Sequence, residues 1–169
     1  AMTESKREQI LDAAFNRFRQ YGFHKTTVDE IAREAQVGKG TIYLHFKNKE
    51  EILIELVDRE LSKGFALVGQ AMMETPSASE KLEKLIEISI DFFHNNELVS
   101  KVMAMDQGLV LSVISEKNRD FQRISVAWLK TLLEQGRNEG VFRDADFEQV
   151  AYIIDSLLRS FHYLHYLGL

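Results

Sequence analysis

TTVDEIAREAQVGKGTIYLHFKNK, residues 26–49, encodes two short helices joined by a tight turn. Thr27 followed three residues later by Glu30 is a capping-box pattern, in which a hydroxyl and a carboxylate satisfy the free backbone N–H groups of a helix start, so a helix begins near Val28. Val28, Ile31, Ala32 and Ala35 share one apolar face, with Asp29, Arg33 and Glu34 elsewhere around the helix. Gln36-Val37-Gly38 breaks the run, and Gly38 is the residue expected to take the positive φ of the turn while Val37 buries its side chain. A second helix starts at about Lys39. Ile42 and Phe46, four apart, pin it to a core and leave Lys39, Thr41, Tyr43, Leu44 and His45 on the remaining surface. Asn48 and Glu51 form another cap pattern, with Lys49 in the first turn of the helix that follows. A cation at the positive end of a helix dipole invites an anionic partner such as phosphate.

Two helices in this arrangement, the second presenting small, polar and aromatic groups outward, form a helix-turn-helix suited to the DNA major groove. Upstream lies a helix with Ile10, Ala13, Ala14, Phe15 and Phe18, ending at Tyr21-Gly22-Phe23. Its order, followed by Thr26-Thr27-Val28, Ile31-Ala32, Val37 to Tyr43, His45-Phe46 and Lys49-Glu50, resembles the DNA-binding domain of the TetR (tetracycline-repressor-like) family. The resemblance covers about the first third of the chain. It implies an all-α protein: an N-terminal three-helix, homeodomain-like helix-turn-helix domain over residues 1–49, and a C-terminal helical bundle for ligand binding and dimerisation over residues 50–169. It further implies a repressor that binds double-stranded operator DNA of palindromic sequence as a homodimer, and that a small-molecule effector releases.

Side-chain chemistry suggests a role for each candidate contact. Lys39 and Thr41 lie where side chains reach base edges, Lys toward guanine acceptors and Thr toward bases or phosphate, and Gly40 lets the backbone approach closely. Tyr43 and His45 can hydrogen-bond phosphates, and Leu44 can meet a thymine methyl group. Thr26, Thr27 and Lys49 are expected to clamp the DNA backbone on either side and set the register. Taken alone, Tyr43 reads equally as a packing aromatic and His45 as a solvated surface histidine.

Composition bounds the alternatives. The 169 residues are 45% hydrophobic, enough for a real core, and contain no cysteine, hence neither a disulfide framework nor a thiolate metal site. No apolar run is long enough to span a bilayer and no secretory leader is visible, so a cytoplasmic protein without membrane partners is expected. Ala1 ahead of Met2 reads as a cloning remnant. The net charge of −5 is unevenly placed. Residues 1–49 hold nine Lys and Arg against six Asp and Glu, a net of +3, and residues 50–169 hold twelve against twenty, a net of −8. The basic excess therefore sits on the end expected to read DNA, although an imbalance of three charges is ordinary for a small domain.

Past residue 50 the pattern is helical. Ile52, Leu53, Leu56, Leu61, Phe65 and Val68 trace a helix to about Met73, ended by Pro76, and Ser77 with Glu80 caps the next, which carries Leu82, Leu85, Ile86, Ser89, Phe92 and Phe93 and closes at His94-Asn95-Asn96. Residues 97–116 read as one or two shorter helices with Gly108 a joint, and Phe121, Ile124, Trp128, Leu132 and Leu133 as a separate helix ending near Gly140. From Phe147 to about Leu167 the chain is apolar on two faces. Val150, Ala151, Ile154, Leu157, Leu158 and Phe161 form one stripe, and Tyr152, Ile153, Tyr163 and Tyr166 lie off it, so this helix is expected to pack inside its domain and against a second copy. Family members often carry a further terminal helix, whereas here the sequence stops at Tyr166-Leu167-Gly168-Leu169.

The resemblance implies an effector pocket among the helices after residue 78, and candidates for its lining are Phe92, Met103, Met105, Trp128, Tyr152, Phe161 and His162. Each is equally accounted for as plain helix-bundle core. Asp91, Asp106 and Asp155 are possible partners for a cationic ligand. Asp91 with His94, and His162 with His165, lie three apart on one helix face, but the paired Glu-x-x-His motifs of a bundle metal site are absent, and neither a metal nor a cofactor is expected. Three readings stand at this point: a ligand-responsive dimeric repressor, a DNA-binding adaptor of the same fold answering to a protein partner, and an α-helical enzyme or metal protein carrying a helix-turn-helix. No nucleophile elbow, catalytic cysteine or phosphate loop supports the third, and no catalytic residue is assigned.

Overall fold

The computed structural model describes residues 2–104 and 110–166, with side chains described over residues 5–100 and 119–160. Eight helices and no strand occur among them: α1 (Met2–Tyr21), α2 (Val28–Glu34), α3 (Lys39–His45), α4 (Lys49–Glu74), α5 (Ala78–Asn95), α6 (Glu97–Ala104), α7 (Val110–Asn138) and α8 (Phe147–Tyr166). They form two compact units, residues 1–60 and 61–169, and the division falls inside α4.

The first unit closes on Ile10, Leu11, Ala13, Ala14 and Phe18 of α1, Ile31, Ala32 and Ala35 around α2, Ile42 and Phe46 around α3, and Ile52, Leu53, Leu56 and Val57 of α4, all buried. The early turns of α4 belong to this unit because ion pairs tie them to α1: Arg7 to Glu55, and Arg59 to Glu8 at 3.0 Å and Asp12 at 2.7 Å. The capping box expected at α2 is formed in full. Glu30 N–H donates to Thr27 Oγ1 at 3.3 Å, and Thr27 N–H donates to Glu30 Oε2 at 2.8 Å.

The turn between α2 and α3 departs from the expected chemistry. Its left-handed residue is Gln36, with φ 54°, and Gly38 is extended at φ −72°, ψ 148° as the N-cap of α3. The cause is a Schellman closure of α2, in which Gln36 N–H donates to Arg33 O at 3.2 Å and Val37 N–H to Ala32 O at 3.0 Å, a pattern that requires the left-handed residue directly after the helix cap.

In the second unit α5, α7 and α8 enclose a core of Val68, Leu85, Leu129, Leu133, Phe147 and Ala151, to which α4 contributes Val68. Ser77 caps α5 by accepting from Glu80 N–H at 3.3 Å. The start of α5 is also held to the end of α7: Ala78 N–H donates to Glu139 Oε2 at 2.9 Å, Lys81 Nζ to Gln135 Oε1 at 2.9 Å, and Gln135 Nε2 to Pro76 O at 2.9 Å. The Ala78 bond comes first among the interactions that hold the Glu139 carboxyl below the usual carboxylate range. The helix expected to begin near Phe121 is the second part of α7, which runs unbroken from Val110 because no Gly or Pro interrupts residues 110–135. The joint assigned to Gly108 lies outside the described residues.

The α7 helix ends in the same Schellman pattern as α2, here with Gly140 at φ 74°. The chain then folds back so that Phe142 covers Gly136. A Cβ at Gly136 would lie 2.0 Å from Phe142 Cδ2, whereas one at Gly69 would meet only Trp128 Cη2 at 3.6 Å, an ordinary contact. Both glycines sit in helices, where alanine is intrinsically better by about 1 kcal/mol. Gly69→Ala is therefore expected to raise stability by roughly 0.5–1 kcal/mol. Gly136→Ala is expected to lose about 1–3 kcal/mol by overpacking, the two signs being read by denaturant unfolding.

Candidate DNA interface and ligand cavity

A helix of seven residues does not stand alone in water, so α3 exists through what holds it. Ile42 and the C-cap Phe46 are each 1% exposed and fix its inner face. Arg7, from α1, donates to His45 O at 3.0 Å, pairs with Glu55, and lies 4.6 Å from the Phe46 ring centroid, so one guanidinium secures the end of α3 against α1 and α4. No local pattern marks Arg7, which acts on a residue 38 positions away.

The outer face of α3 is open. Tyr43 is 51% and Leu44 84% exposed, Lys39 and Gly40 are exposed, and Thr41 and His45 are half-buried. Leu44 keeps most of its apolar surface in water. A Cβ at Gly40 would meet nothing within 4 Å, so the backbone there is open to approach from outside. Lys39 is engaged: its Nζ donates to Asp29 Oδ2 at 2.9 Å, and that hydrogen bond raises its pKa above the ordinary lysine value. Both side chains are about half exposed, so the ammonium stays reachable from outside.

Three residues expected to clamp DNA are occupied within the fold. Thr26 is fully buried, and its hydroxyl donates to Gly22 O at 2.8 Å, closing the loop after α1. The Thr27 hydroxyl is exposed but donates to Glu30 Oε2 at 2.9 Å while accepting the Glu30 N–H, so it caps α2 and has no proton to spare for phosphate. Lys49 Nζ donates to Phe23 O and Thr26 O, each at 2.8 Å, and sits 4.3 Å from the Phe23 ring centroid. Burial there pushes the ammonium below the ordinary lysine pKa. The cation at the start of α4 thus ties the loop before α2 to α4, a role invisible from helix-dipole reasoning because its acceptors are carbonyls 23 and 26 residues away.

The second unit contains a cavity of about 90 Å³ with a mouth open to solvent. Phe92 and Trp128, both expected, line it with Phe65, Phe93 and Phe121, and Phe65 stacks on Phe121 at 5.2 Å while meeting Trp128 edge-on at 5.6 Å. Its polar groups are Ser89, Ser125, Asp155 and Arg159. Asp155 is 3% exposed and bound by Arg159 Nε at 2.7 Å and Gln122 Nε2 at 3.3 Å, so its charge is neutralised within the wall. Tyr152 does not line this cavity; it is 56% exposed, pointing out of the bundle, because it lies one residue from the buried Ala151 on α8. The side chains of Met103, Phe161 and His162, and all of Met105 and Asp106, lie outside the described residues. Asp91 is exposed in a separate groove beside Asn95 and Asn96, and no three His, Asp or Glu side chains among the described residues converge as a metal set. No helix among the described residues is long and apolar enough to cross a membrane.

Comparison with known proteins agrees with this geometry at both ends of the chain. Residues 10–56 match the family of bacterial regulatory proteins named for tetR, and residues 79–165 match the tetracyclin repressor-like C-terminal domain. The chain is 28% identical over 153 residues to the uncharacterized HTH-type transcriptional regulator YhgD of Bacillus subtilis (strain 168), covering 90% of this chain and 80% of that protein. It is 35% identical over 106 residues to the fatty acid metabolism regulator protein of the same organism, covering 61% of this chain and 55% of that one. The structure of the transcriptional regulator FadR from Bacillus subtilis in complex with stearoyl-CoA superposes with a TM-score of 0.77 at 25% identity, over 95% of this chain and 87% of that one. The fatty acid degradation regulator FadR from Bacillus halodurans gives 0.78 at 26% identity, over 94% and 82%. With both its helix-turn-helix and its helical C-terminal domain matched, the chain belongs to the TetR family of DNA-binding transcriptional regulators.

Proposed function

We propose that this regulator is a repressor that reads a palindromic operator as a homodimer and lets go when an apolar small molecule fills the cavity of its second unit. The observation that carries the effector half is the cavity itself: five aromatic rings around an otherwise apolar space, with a few polar groups in the wall, is the composition of a ligand site. The similarity to a regulator solved with stearoyl-CoA makes a long-chain acyl compound the ligand class to test first. In this reading α4, which contributes Leu61, Gly64, Phe65 and Val68 to the cavity and Ile52 and Leu56 to the first unit, carries the response to the reading helix.

In the DNA half, α3 enters the major groove, with Lys39, Thr41 and Leu44 toward base edges and Tyr43 and His45 toward phosphates. Thr26, Thr27 and Lys49 hold the loop and helix starts from which α3 is presented. A single short helix reads few base pairs, so two copies are needed, with recognition helices about 34–36 Å apart or a comparable spacing. Ile124 on α7 and Tyr152, Ile153 and Leu157 on α8, between 43% and 57% exposed, offer the apolar face for pairing through the C-terminal helices.

Four outcomes test this reading. On a site selected from random duplexes, Leu44→Ala is expected to weaken binding about tenfold, in keeping with about 1–3 kcal/mol per base contact, and to leave random DNA nearly unaffected; equal losses on both, or none, would remove α3 as the reader. Trp128 is the sole tryptophan, so titration with stearoyl-CoA or stearate should shift its emission and release the selected DNA. Ser125→Phe, which fills the cavity, should abolish both responses while sparing DNA affinity, and an unaltered response in that variant places the ligand elsewhere. Ile153→Asp with Leu157→Asp should convert a dimer to a monomer in sedimentation and cost most operator affinity.

A further inference from the structure

The Lys39–Asp29 pair puts an acid beside the first cation of the reading helix, where attraction to DNA alone would favour none. Asp29 Oδ2 lies 2.9 Å from Lys39 Nζ, and the two side chains are 55% and 52% exposed, so neither charge is hidden from an approaching duplex. The pair is electrically neutral. It has no net attraction for a phosphate, and a phosphate oxygen close enough to accept from Nζ would also stand within a few ångströms of the Asp29 carboxylate, with like-charge repulsion offsetting the gain. An uncharged acceptor such as guanine O6 or N7 carries no such penalty. Lys39 has three N–H donors, and the bond to Asp29 occupies one, leaving two for an outside acceptor.

We infer that Asp29 is a specificity-determining positioning residue: it holds Lys39 in place and turns it from a counter-ion for any phosphate into a hydrogen-bond donor for neutral base edges. The inference rests on α3 being the reading helix. Nothing else on the first turn of α3 supplies this selectivity, since that turn carries no acidic residue of its own.

The test measures affinity against salt for the selected site and for random-sequence duplex, with wild type, Asp29→Asn, Lys39→Gln and the double variant. Asp29→Asn frees one cation, so its affinity for random duplex should rise severalfold and the magnitude of its log–log salt slope should grow by about 0.9, the increment for one further neutralised phosphate. Its preference for the selected site should fall by about tenfold. Adding Lys39→Gln should return the slope to the wild-type value, and Asp29→Glu, which keeps the charge, should keep the wild-type preference. A loss of affinity equal on both duplexes with an unchanged slope, or no change in either, overturns the inference. If Leu44→Ala also fails to discriminate the two duplexes, the reading of α3 fails with it; if Leu44→Ala discriminates and Asp29→Asn does not, only the role of Asp29 is lost. Should Asp29→Asn melt early, the comparison of Lys39→Gln with Asp29→Glu still decides, because a mere counter-ion loses slope on random duplex when Lys39 is removed and a base-edge donor loses preference.

Discussion

The guanidinium of Arg7 joins three elements, α1, α3 and α4, at one point of the first unit. It lies over the face of Phe46, donates to the last carbonyl of α3 at His45, and pairs with Glu55 one turn into the packed part of α4. Seven-residue helices have too few internal hydrogen bonds to offset the cost of nucleation, so α3 takes its shape from these anchors and from the burial of Ile42. A reading helix must also be held rigidly, since a base contact depends on hydrogen-bond geometry within a few tenths of an ångström. Arg7 and Lys49 supply that rigidity from opposite sides. One closes the end of α3, and the other staples the loop before α2 to the start of α4.

Four of the positive charges of the first unit are engaged within it. Arg7, Arg17, Lys39 and Lys49 all have partners inside the first unit: carboxylates for three of them and backbone carbonyls for the fourth. The net charge of +3 over residues 1–49 is therefore modest in what it offers to phosphate. In the proposed reading, such a surface gains less from indiscriminate electrostatic attraction and depends more on shape and on neutral contacts such as Leu44 and Tyr43.

In the second unit the same sort of residues serve two ends. Leu129 and Leu133 close a core, Leu85 serves both core and cavity wall, and Phe65, Phe92, Phe121 and Trp128, at comparable helical spacing, surround a space. Gly64 contributes to the difference. A Cβ there would lie 3.2 Å from the Phe92 ring, so the absent side chain is what lets that ring lie against α4. Nothing in the spacing of Phe92 and Trp128 separates a residue that faces a cavity from one that faces another side chain, because both occupy the inner stripe of an amphipathic helix.

Local chemistry determined a good deal of this protein. The capping box at Thr27, the N-cap at Ser77, the helical stripes, the break at Pro76 and the outward set on α3 all depend on residues within a few positions of each other, and so are legible along the chain. What only the tertiary structure decided depends on distant partners. The hydroxyl of Thr26 is turned inward by Gly22, and Lys49 is captured by carbonyls that sequence spacing does not bring together. Gln36, not Gly38, bends the turn because the closing of α2 sets the position of the left-handed residue. Lys39 finds Asp29 ten residues back across that same turn. Sequence periodicity says which side of a helix is buried, but the partner of a charged or polar tip is chosen by the packing of whole helices, and that choice separates a side chain left facing outward from one that holds the helix in place.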